Sequence, residues 1–163
     1  MLIKPKKSLG QNFLHDENII NKIINASKIS SDDQVLEVGP GTGNLTRFII
    51  SKRPKKIYVV EKDKSLAGEL EKKYYDKINV IKEDILKISN EFYSKKRFLI
   101  LGNLPYNIST KILSNWCLNN KLNVSKMILM FQKEVAERIL ANVNSKNIAG
   151  LQFYQSGNLI FVK

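Results

Sequence analysis

A glycine-rich turn between a strand and a helix constrains the fold of this chain more than any other feature of its sequence. Residues 34–38, Gln-Val-Leu-Glu-Val, are predicted to form a largely apolar strand, and Gly39-Pro40-Gly41-Thr42-Gly43 follows directly. A helix is predicted next, because Leu45, Phe48 and Ile49 recur at helical spacing. Glycines let such a turn bend sharply and let its backbone approach a ligand closely. The pattern therefore predicts a strand–turn–helix unit of a parallel α/β sheet.

Short apolar strands alternate with amphipathic helices along the rest of the chain. Asp16 can cap a first helix whose isoleucines share one face: Ile19, Ile20, Ile23 and Ile24. Further strands are predicted at residues 56–61, 78–81, 98–101 and 127–131, and further helices at 65–75, 109–117 and 134–141. The strands are near-continuous apolar runs, which indicates a sheet covered by helices on both faces. We predict one α/β domain, residues 1–163, with a doubly wound, mostly parallel sheet.

The residue composition argues against several classes of protein. One cysteine, Cys117, rules out an intramolecular disulfide, and with a single histidine, His15, the chain has few ligands for zinc. We therefore expect no metal. No apolar run approaches the roughly 18 residues of a membrane-spanning helix. The N-terminal residues contain no apolar stretch long enough for a secretory signal, so we expect a cytoplasmic protein with no membrane partner.

The net charge of +12, from 27 basic and 15 acidic residues, favours a polyanionic partner such as RNA. A compositional explanation stays open, because 23 of the basic residues are lysines, as an AT-rich genome would encode regardless of function. If the charge serves RNA binding, candidate contacts are Lys4, Lys6 and Lys7 near the N-terminus.

Three carboxylates lie in or directly after the first three predicted strands. Glu37 precedes the glycine turn, Glu61 ends the second strand, and Asp84 follows the third. An acid placed like Glu61 can accept hydrogen bonds from both hydroxyls of an adenosine ribose, and Asp84 can accept the exocyclic amine of the adenine. Such an acidic site suits S-adenosylmethionine, which has a sulfonium and an ammonium group and no phosphates. Two structural readings stay open: Glu37 can brace the turn, and Asp84 can cap a helix.

The tetrapeptide Asn103-Leu104-Pro105-Tyr106 follows the fourth predicted strand, at the edge where open α/β sheets bind ligands. An exocyclic adenine nitrogen is a poor nucleophile because its lone pair is delocalised into the ring. The side-chain oxygen of Asn103 and the carbonyl of Leu104 can hold the amine hydrogens and favour the nucleophilic form. Pro105 stiffens the turn, and Tyr106 can stack on a flipped-out base. These four residues are the predicted catalytic residues.

Five motifs together resemble those of the ribosomal small-subunit RNA adenine dimethyltransferases. They are Gly10-Gln11-Asn12-Phe13-Leu14, the stretch 35–46, Val60-Glu61-Lys62-Asp63, the stretch 103–109, and Gln132-Lys133-Glu134-Val135-Ala136-Glu137-Arg138. The resemblance implies a Rossmann-like class I fold that depends on S-adenosylmethionine, with an N-terminal arm, residues 1–15, contributing to the cofactor site. It implies that the cofactor-binding residues are Asn12, Leu14, Gly39, Gly41, Glu61, Asp84 and Asn103.

The resemblance also implies an activity. Members of this family dimethylate N6 of two adjacent adenines near the 3' end of 16S rRNA in an immature small ribosomal subunit, and we expect a monomer. Two alternatives stay open: a large-subunit rRNA adenine-N6 methyltransferase of the macrolide-resistance type, and a catalytically weak RNA-binding assembly factor. Gly10 and Leu104 favour the small-subunit group over the large-subunit group.

The sequence departs from the family's pattern towards its C-terminal end. Residues 147–151 read Asn-Ile-Ala-Gly-Leu where the family usually has Tyr-Gly-Arg-Leu-Ser. We interpret residues 159–162 as the sixth strand, so the last strand and the C-terminal helical domain are expected to be missing. The segment 158–162 should then fray, dock in the vacant slot against the fifth strand, or pair with another molecule. Cofactor binding is expected to survive this loss, and methyl transfer to be very weak.

Overall fold

Helices and strands alternate along the chain, as the apolar pattern predicts. The computed structural model describes residues 11–105, 107–119, 121–143, 153–156 and 159–162. In chain order the elements are α1 (Glu17–Ser27), β1 (Gln34–Val38), α2 (Asn44–Ser51), β2 (Lys56–Val60), α3 (Lys64–Tyr74), β3 (Asn79–Ile81), a short 3-10 helix (Ile85–Lys87), α4 (Asn90–Ser94), β4 (Phe98–Asn103), α5 (Ser109–Cys117), β5 (Val124–Met130), α6 (Lys133–Val143), β6 (Phe153–Ser156) and β7 (Leu159–Val162). Among the described residues no helix is long and apolar enough to cross a membrane.

The strands form a seven-stranded sheet in the order β3-β2-β1-β4-β5-β7-β6. Each neighbouring pair from β3 to β5 is parallel, whereas β7 runs antiparallel to both of its neighbours. The chain order reverses between β1 and β4, and in open α/β sheets ligands bind beyond the carboxyl ends of the strands at such a switch point. The predicted doubly wound, mostly parallel sheet is confirmed.

Both faces of the sheet are covered by helices, which explains why the central strands are largely apolar. On one face, Leu36 and Val38 of β1 pack in a core to which α4, α5 and α6 contribute Tyr93, Trp116 and Val135. On the other face, Val35 packs with residues of α1, α2 and α3: Ile20, Ile49 and Leu70. The helix α1 begins as predicted, because the Asp16 side chain accepts hydrogen bonds from the amides of Asn18 and Ile19.

The expectation that the last strand is missing is wrong. Two strands follow α6, and β7 (Leu159–Val162) pairs antiparallel with β5, with Met127 opposite Val162. Its other edge pairs with β6 (Phe153–Ser156), so neither β5 nor β7 is left as an open edge. Docking of this segment against the fifth strand, one of the expected outcomes, is confirmed. The sequence does not predict β6 because Phe153-Tyr154-Gln155-Ser156 has no continuous apolar run, although the Gly157-Asn158 pair after it is typical of hairpin turns.

Candidate active site

A cleft opens where the carboxyl ends of β1, β2 and β4 meet, at the switch point of the sheet. Its walls come from the N-terminal arm, the glycine turn, the residues after β2 and β3, and the turn after β4. They bring together six of the predicted cofactor residues: Asn12, Gly39, Gly41, Glu61, Asp84 and Asn103.

The glycine turn forms the floor of this cleft with bare backbone. Gly41 has a φ of +57°, and a Cβ atom on it would lie 2.8 Å from Cδ1 of Phe13. Gly39 has a φ of +69°, and a Cβ there would lie 3.3 Å from the main-chain oxygen of Asn103. Residues with side chains rarely adopt these angles. The turn therefore needs glycine both for its conformation and for the close approach of the arm and of β4.

Glu61 lies directly after β2 and is buried in the cleft wall. One carboxylate oxygen accepts the amide of Gly41 at 3.2 Å, and the other accepts the amide of Asp63 at 2.9 Å. Burial raises the pKa of Glu61 above its ordinary value, and the hydrogen bonds from these amides act in the opposite direction. The main chain thus holds the carboxylate in a fixed position beside the glycine turn.

Asp84 has one of the two roles that the sequence left open, that of a helix cap, and its role in binding the adenine stays a prediction. It borders the cleft, and its Oδ1 accepts the amide of Leu86 at 3.0 Å, which caps the 3-10 helix. Its Oδ2 lies 3.0 Å from Nζ of Lys62. Partial burial acts to raise the pKa of Asp84, but the Leu86 amide and the Lys62 ammonium outweigh it and hold the pKa below its ordinary value. The side chain is therefore a carboxylate at neutral pH.

Asn103, the last residue of β4, meets the N-terminal arm. Its Nδ2 donates to the main-chain oxygen of Asn12 at 2.6 Å. Its Oδ1 is buried and has no hydrogen-bond partner among the described residues. A buried acceptor without a donor costs about 1–3 kcal/mol, so native structures rarely keep one without a reason. The geometry leaves this oxygen as an unused acceptor on a residue that borders the cleft.

The other predicted catalytic residues have different positions. The Leu104 side chain is buried in the core, where it fills the space beside Gly102: a Cβ on that glycine would lie 2.9 Å from Leu104 Cδ2. Leu104 therefore anchors the turn, and the role of its carbonyl stays a prediction. Pro105 borders the cleft, and its carbonyl accepts the amide of Ile108 at 3.1 Å. Tyr106 lies outside the described residues.

The N-terminal arm covers one side of the cleft with Gln11, Asn12 and Phe13. Leu14, predicted as a cofactor residue, instead borders a smaller adjoining cavity and packs against the core on the α1 face. Lys4, Lys6 and Lys7 lie outside the described residues. Three apolar residues also line the cleft and were not among the predicted site residues: Ile85, Leu86 and Ile108.

Glu37 does not border the main cleft but braces the glycine turn from below, as one reading of the sequence allowed. Its side chain is buried and accepts the hydroxyl of Thr46 in α2 at 2.7 Å. Burial raises the pKa of Glu37 to about 8, and the nearby Glu61 acts in the same direction, whereas the Thr46 hydrogen bond opposes it. The carboxyl group links β1 to α2 on either side of the turn.

Replacing Glu37 with glutamine should flatten the pH dependence of stability. The fold raises this pKa from 4.5 to about 8, so between these values the folded chain binds more protons than the unfolded chain. The stability that Glu37 contributes is present below the lower value, falls as pH rises, and is lost above the upper one. Glutamine can still accept from Thr46 but does not titrate. Between pH 4.5 and about 8, the melting temperature of the wild type should fall by several degrees more than that of the variant. An equal fall in both proteins would contradict the proposed effect of Glu37.

Metal ligation has no support in the described residues, where no three His, Cys, Asp or Glu side chains are grouped closely enough to share an ion.

Cys117 is a free, half-buried thiol beside the core of the α5 face. Burial raises the pKa of this thiol. A neutral thiol is a poor ligand and a poor nucleophile, so Cys117 has the properties of a packing residue.

A glycine turn below a switch-point cleft, with an antiparallel β7 between β5 and β6, defines a Rossmann-like methyltransferase fold. The family model for ribosomal RNA adenine dimethylases matches residues 3–152. The chain belongs to this family, as the five motifs predicted.

Individual relatives agree with the family assignment. Ribosomal RNA small subunit methyltransferase A of Pelagibacter ubique (strain HTCC1062) is 49% identical over 161 residues, which cover 98% of this chain and 61% of that protein. A dimethyladenosine transferase from Plasmodium falciparum has a TM-score of 0.75 at 28% identity, with 93% of this chain and 62% of that chain covered. The 23S rRNA methyltransferase ErmE has a TM-score of 0.76 at 23% identity, with 93% and 69% covered, which shows a shared fold. The chain thus spans less than two thirds of the Pelagibacter relative.

Proposed function

We propose that this chain is the S-adenosylmethionine-binding catalytic domain of an enzyme that dimethylates N6 of two adjacent adenines near the 3' end of 16S rRNA. The observation that carries the proposal is the buried Oδ1 of Asn103, an acceptor with no partner among the described residues. It belongs to a residue that borders the same cleft as the carboxylates of Glu61 and Asp84. A hydrogen-bond acceptor without a donor suits the binding of an amine, and an acidic cleft suits a cationic cofactor. Together they fit the transfer of a group from such a cofactor to an amine.

The residues of the cleft fit S-adenosylmethionine better than a dinucleotide. When bound, this cofactor supplies an electrophilic methyl group on a sulfonium. Glu61, held by two amides, would accept the ribose hydroxyls, and Asp84 would accept the adenine amine. Apolar side chains such as Ile85 and Ile108 would pack against the adenine ring. A pyrophosphate would meet the buried carboxylate of Glu61 beside the amide of Gly41, an unfavourable pairing of like charges.

The target adenine would meet the residues after β4. The Oδ1 of Asn103 and the carbonyl of Leu104 would accept the two amine hydrogens, which keeps the nitrogen lone pair directed at the methyl group. Tyr106, adjacent in the sequence, would stack on the flipped-out base, a contact typically worth about 1–3 kcal/mol. Each methyl transfer releases one proton from the amine, and two transfers require two cofactor molecules.

Calorimetric titration tests the cofactor assignment directly. We expect S-adenosylmethionine and its demethylated product to bind at one site per chain, and NAD not to bind. Binding of NAD, or no binding of S-adenosylmethionine by the folded chain, would refute the assignment.

Asp84→Ala should weaken binding of S-adenosylmethionine roughly tenfold or more, the scale of a hydrogen bond to a charged group. The variant should also lose about 1 kcal/mol of stability, because Asp84 caps the 3-10 helix. Asp16→Ala is the matched control, since Asp16 caps α1 in the same way and does not border the cleft. Equal affinities of the two variants would show that Asp84 acts only as a cap.

The RNA partner is supported by the net charge of +12. We expect binding of 16S rRNA to be largely electrostatic and to weaken steeply as salt rises, because lysines release counterions from phosphates. Replacing Lys4, Lys6 and Lys7 together with glutamine should reduce the slope of log affinity against log salt by roughly 3, about one per phosphate contact. An unchanged slope would mean that these lysines reflect composition alone.

The small-subunit assignment is favoured over the large-subunit alternative by identity: 49% to the small-subunit methyltransferase of Pelagibacter ubique against 23% to the 23S rRNA methyltransferase ErmE. The third candidate, a catalytically weak assembly factor, is disfavoured because Asn103 keeps the geometry of an acceptor. We further propose that the protein acts on the immature subunit in the cytoplasm, as a monomer without a metal.

A further inference from the structure

The N-terminal arm is held to the body of the domain at two points by side-chain amides. Nδ2 of Asn103 donates to the main-chain oxygen of Asn12 at 2.6 Å. Nδ2 of Asn44 donates to the main-chain oxygen of Leu14 at 2.8 Å and lies 3.1 Å from Nδ1 of His15. In both contacts the donor comes from the end of a core element and the acceptor is the backbone of the arm. The segment 12–14 is therefore fixed at both ends.

Between these two anchors, Phe13 fixes the height of the arm above the glycine turn. Its ring occupies the place where a Cβ on Gly41 would lie, with Cδ1 at 2.8 Å and Cε1 at 3.1 Å from that position. A displacement of the arm at Leu14 would therefore move Phe13 and Asn12 with it. The hydrogen bond from Asn44 to Leu14 therefore also affects the position of Asn12 and its hydrogen bond with Asn103.

The contact with Asn12 determines which way the Asn103 amide faces. A main-chain oxygen can only accept a hydrogen bond, so the amide must present Nδ2 to it and keep Oδ1 away from it. If the arm moved off, the amide could rotate, and Oδ1 would no longer be held as the acceptor. The arm thus orients the group that the proposed reaction uses.

We infer that Asn44 is a positioning residue for methyl transfer, an inference that rests on the proposed function. Asn44 is the first residue of α2 and borders the small cavity beside Leu14, not the main cleft. It acts through the backbone of Leu14, which holds the arm, and the carbonyl of Asn12 then orients Asn103. No sequence motif assigns this role to Asn44, because its partner lies 30 residues away.

Two variants of Asn44 test the inference on the intact chain. Asn44→Ala and the near-isosteric Asn44→Asp both lack the donor. Each should lower the rate of methyl transfer at saturating S-adenosylmethionine about tenfold, the scale of one hydrogen bond, and speed amide hydrogen exchange at residues 12–15. Exchange in β1 and β4 should stay slow, which reports that the variants fold. Arg47→Ala is the matched control, because it removes an ion pair between α2 and Glu17 and leaves the arm contacts intact.

The outcomes separate the inference from the function on which it rests. Wild-type transfer and wild-type exchange in both variants would overturn it. A weaker cofactor affinity with an unchanged rate at saturation would also overturn it, since the arm would then serve the cofactor and not Asn103. A faster rate would show that the arm restrains the reaction and would overturn it as well. If the proposed function itself fails, the wild-type chain neither binds S-adenosylmethionine nor transfers methyl groups.

Discussion

Asn103→Ala should lower the rate of methyl transfer by roughly 10²–10³-fold at saturating cofactor, the scale seen when one preorganised polar group is removed from an active site. The substitution removes the only acceptor that the side chain offers to the adenine amine, the buried Oδ1. It also removes the 2.6 Å hydrogen bond that Nδ2 of Asn103 donates to the carbonyl of Asn12. Single-turnover transfer to rRNA, followed with labelled cofactor, measures the effect.

Asn115→Ala is the control for this substitution. Asn115 lies exposed on α5, away from the main cleft, and its removal should leave the rate unchanged. Thermal unfolding of both variants should remain cooperative and close to that of the wild type. A rate for Asn103→Ala within a few-fold of wild type would contradict the role of its side-chain oxygen.

Gly41→Ala should lower the affinity for the cofactor at least tenfold. Alanine at a φ of +57° costs roughly 1–2 kcal/mol, and its Cβ would lie 2.8 Å from Phe13 Cδ1. The ring must therefore move, and with it the arm that forms one wall of the cleft. Glu61, which accepts the Gly41 amide at 3.2 Å, would lose part of its support. Calorimetry and thermal unfolding together separate the loss of affinity from the loss of stability.

Gly68→Ala is the control for Gly41→Ala. Gly68 lies within α3, and a Cβ there would have no atom within 4 Å. Replacing a helical glycine of this kind stabilises a protein by about 0.4–1 kcal/mol and should leave cofactor affinity unchanged. If Gly41→Ala and Gly68→Ala gave similar affinities, the close contact between arm and turn would have no functional importance.

Elements with a strong local pattern were predictable from the sequence. The strand β1 and the helix α5 have the predicted bounds, because apolar runs and helical periodicity depend on neighbouring residues. The predicted cofactor residues that follow strands, Glu61 and Asp84, could be placed at one edge because parallel strands end at the same side of a sheet. The acidic half of the candidate site was therefore visible before the fold was known.

Features that depend on distant contacts were not predictable. The contact of Asn12 with Asn103 joins residues 91 apart in the sequence, and no local pattern encodes it. The short elements Ile85–Lys87 and Asn90–Ser94 were missed, since helices of three and five residues have too few positions to show a period. The strand β6 is not predictable from its sequence because Phe153-Tyr154-Gln155-Ser156 has neither a continuous apolar run nor an alternation of apolar and polar residues. Without β6, residues 159–162 are counted as the sixth strand and the last strand is expected to be missing.

Methyl transfer to rRNA tests the central claim most directly. The chain is incubated with S-adenosylmethionine labelled in its methyl group and with immature small ribosomal subunits, and the RNA is digested to nucleosides and sequenced around the label. We predict labelled N6,N6-dimethyladenosine at two adjacent adenines near the 3' end of 16S rRNA, at the low yield expected of this chain, and none with Asn103→Ala. Label in large-subunit rRNA, or no label from a folded chain that binds the cofactor, would contradict the proposed function.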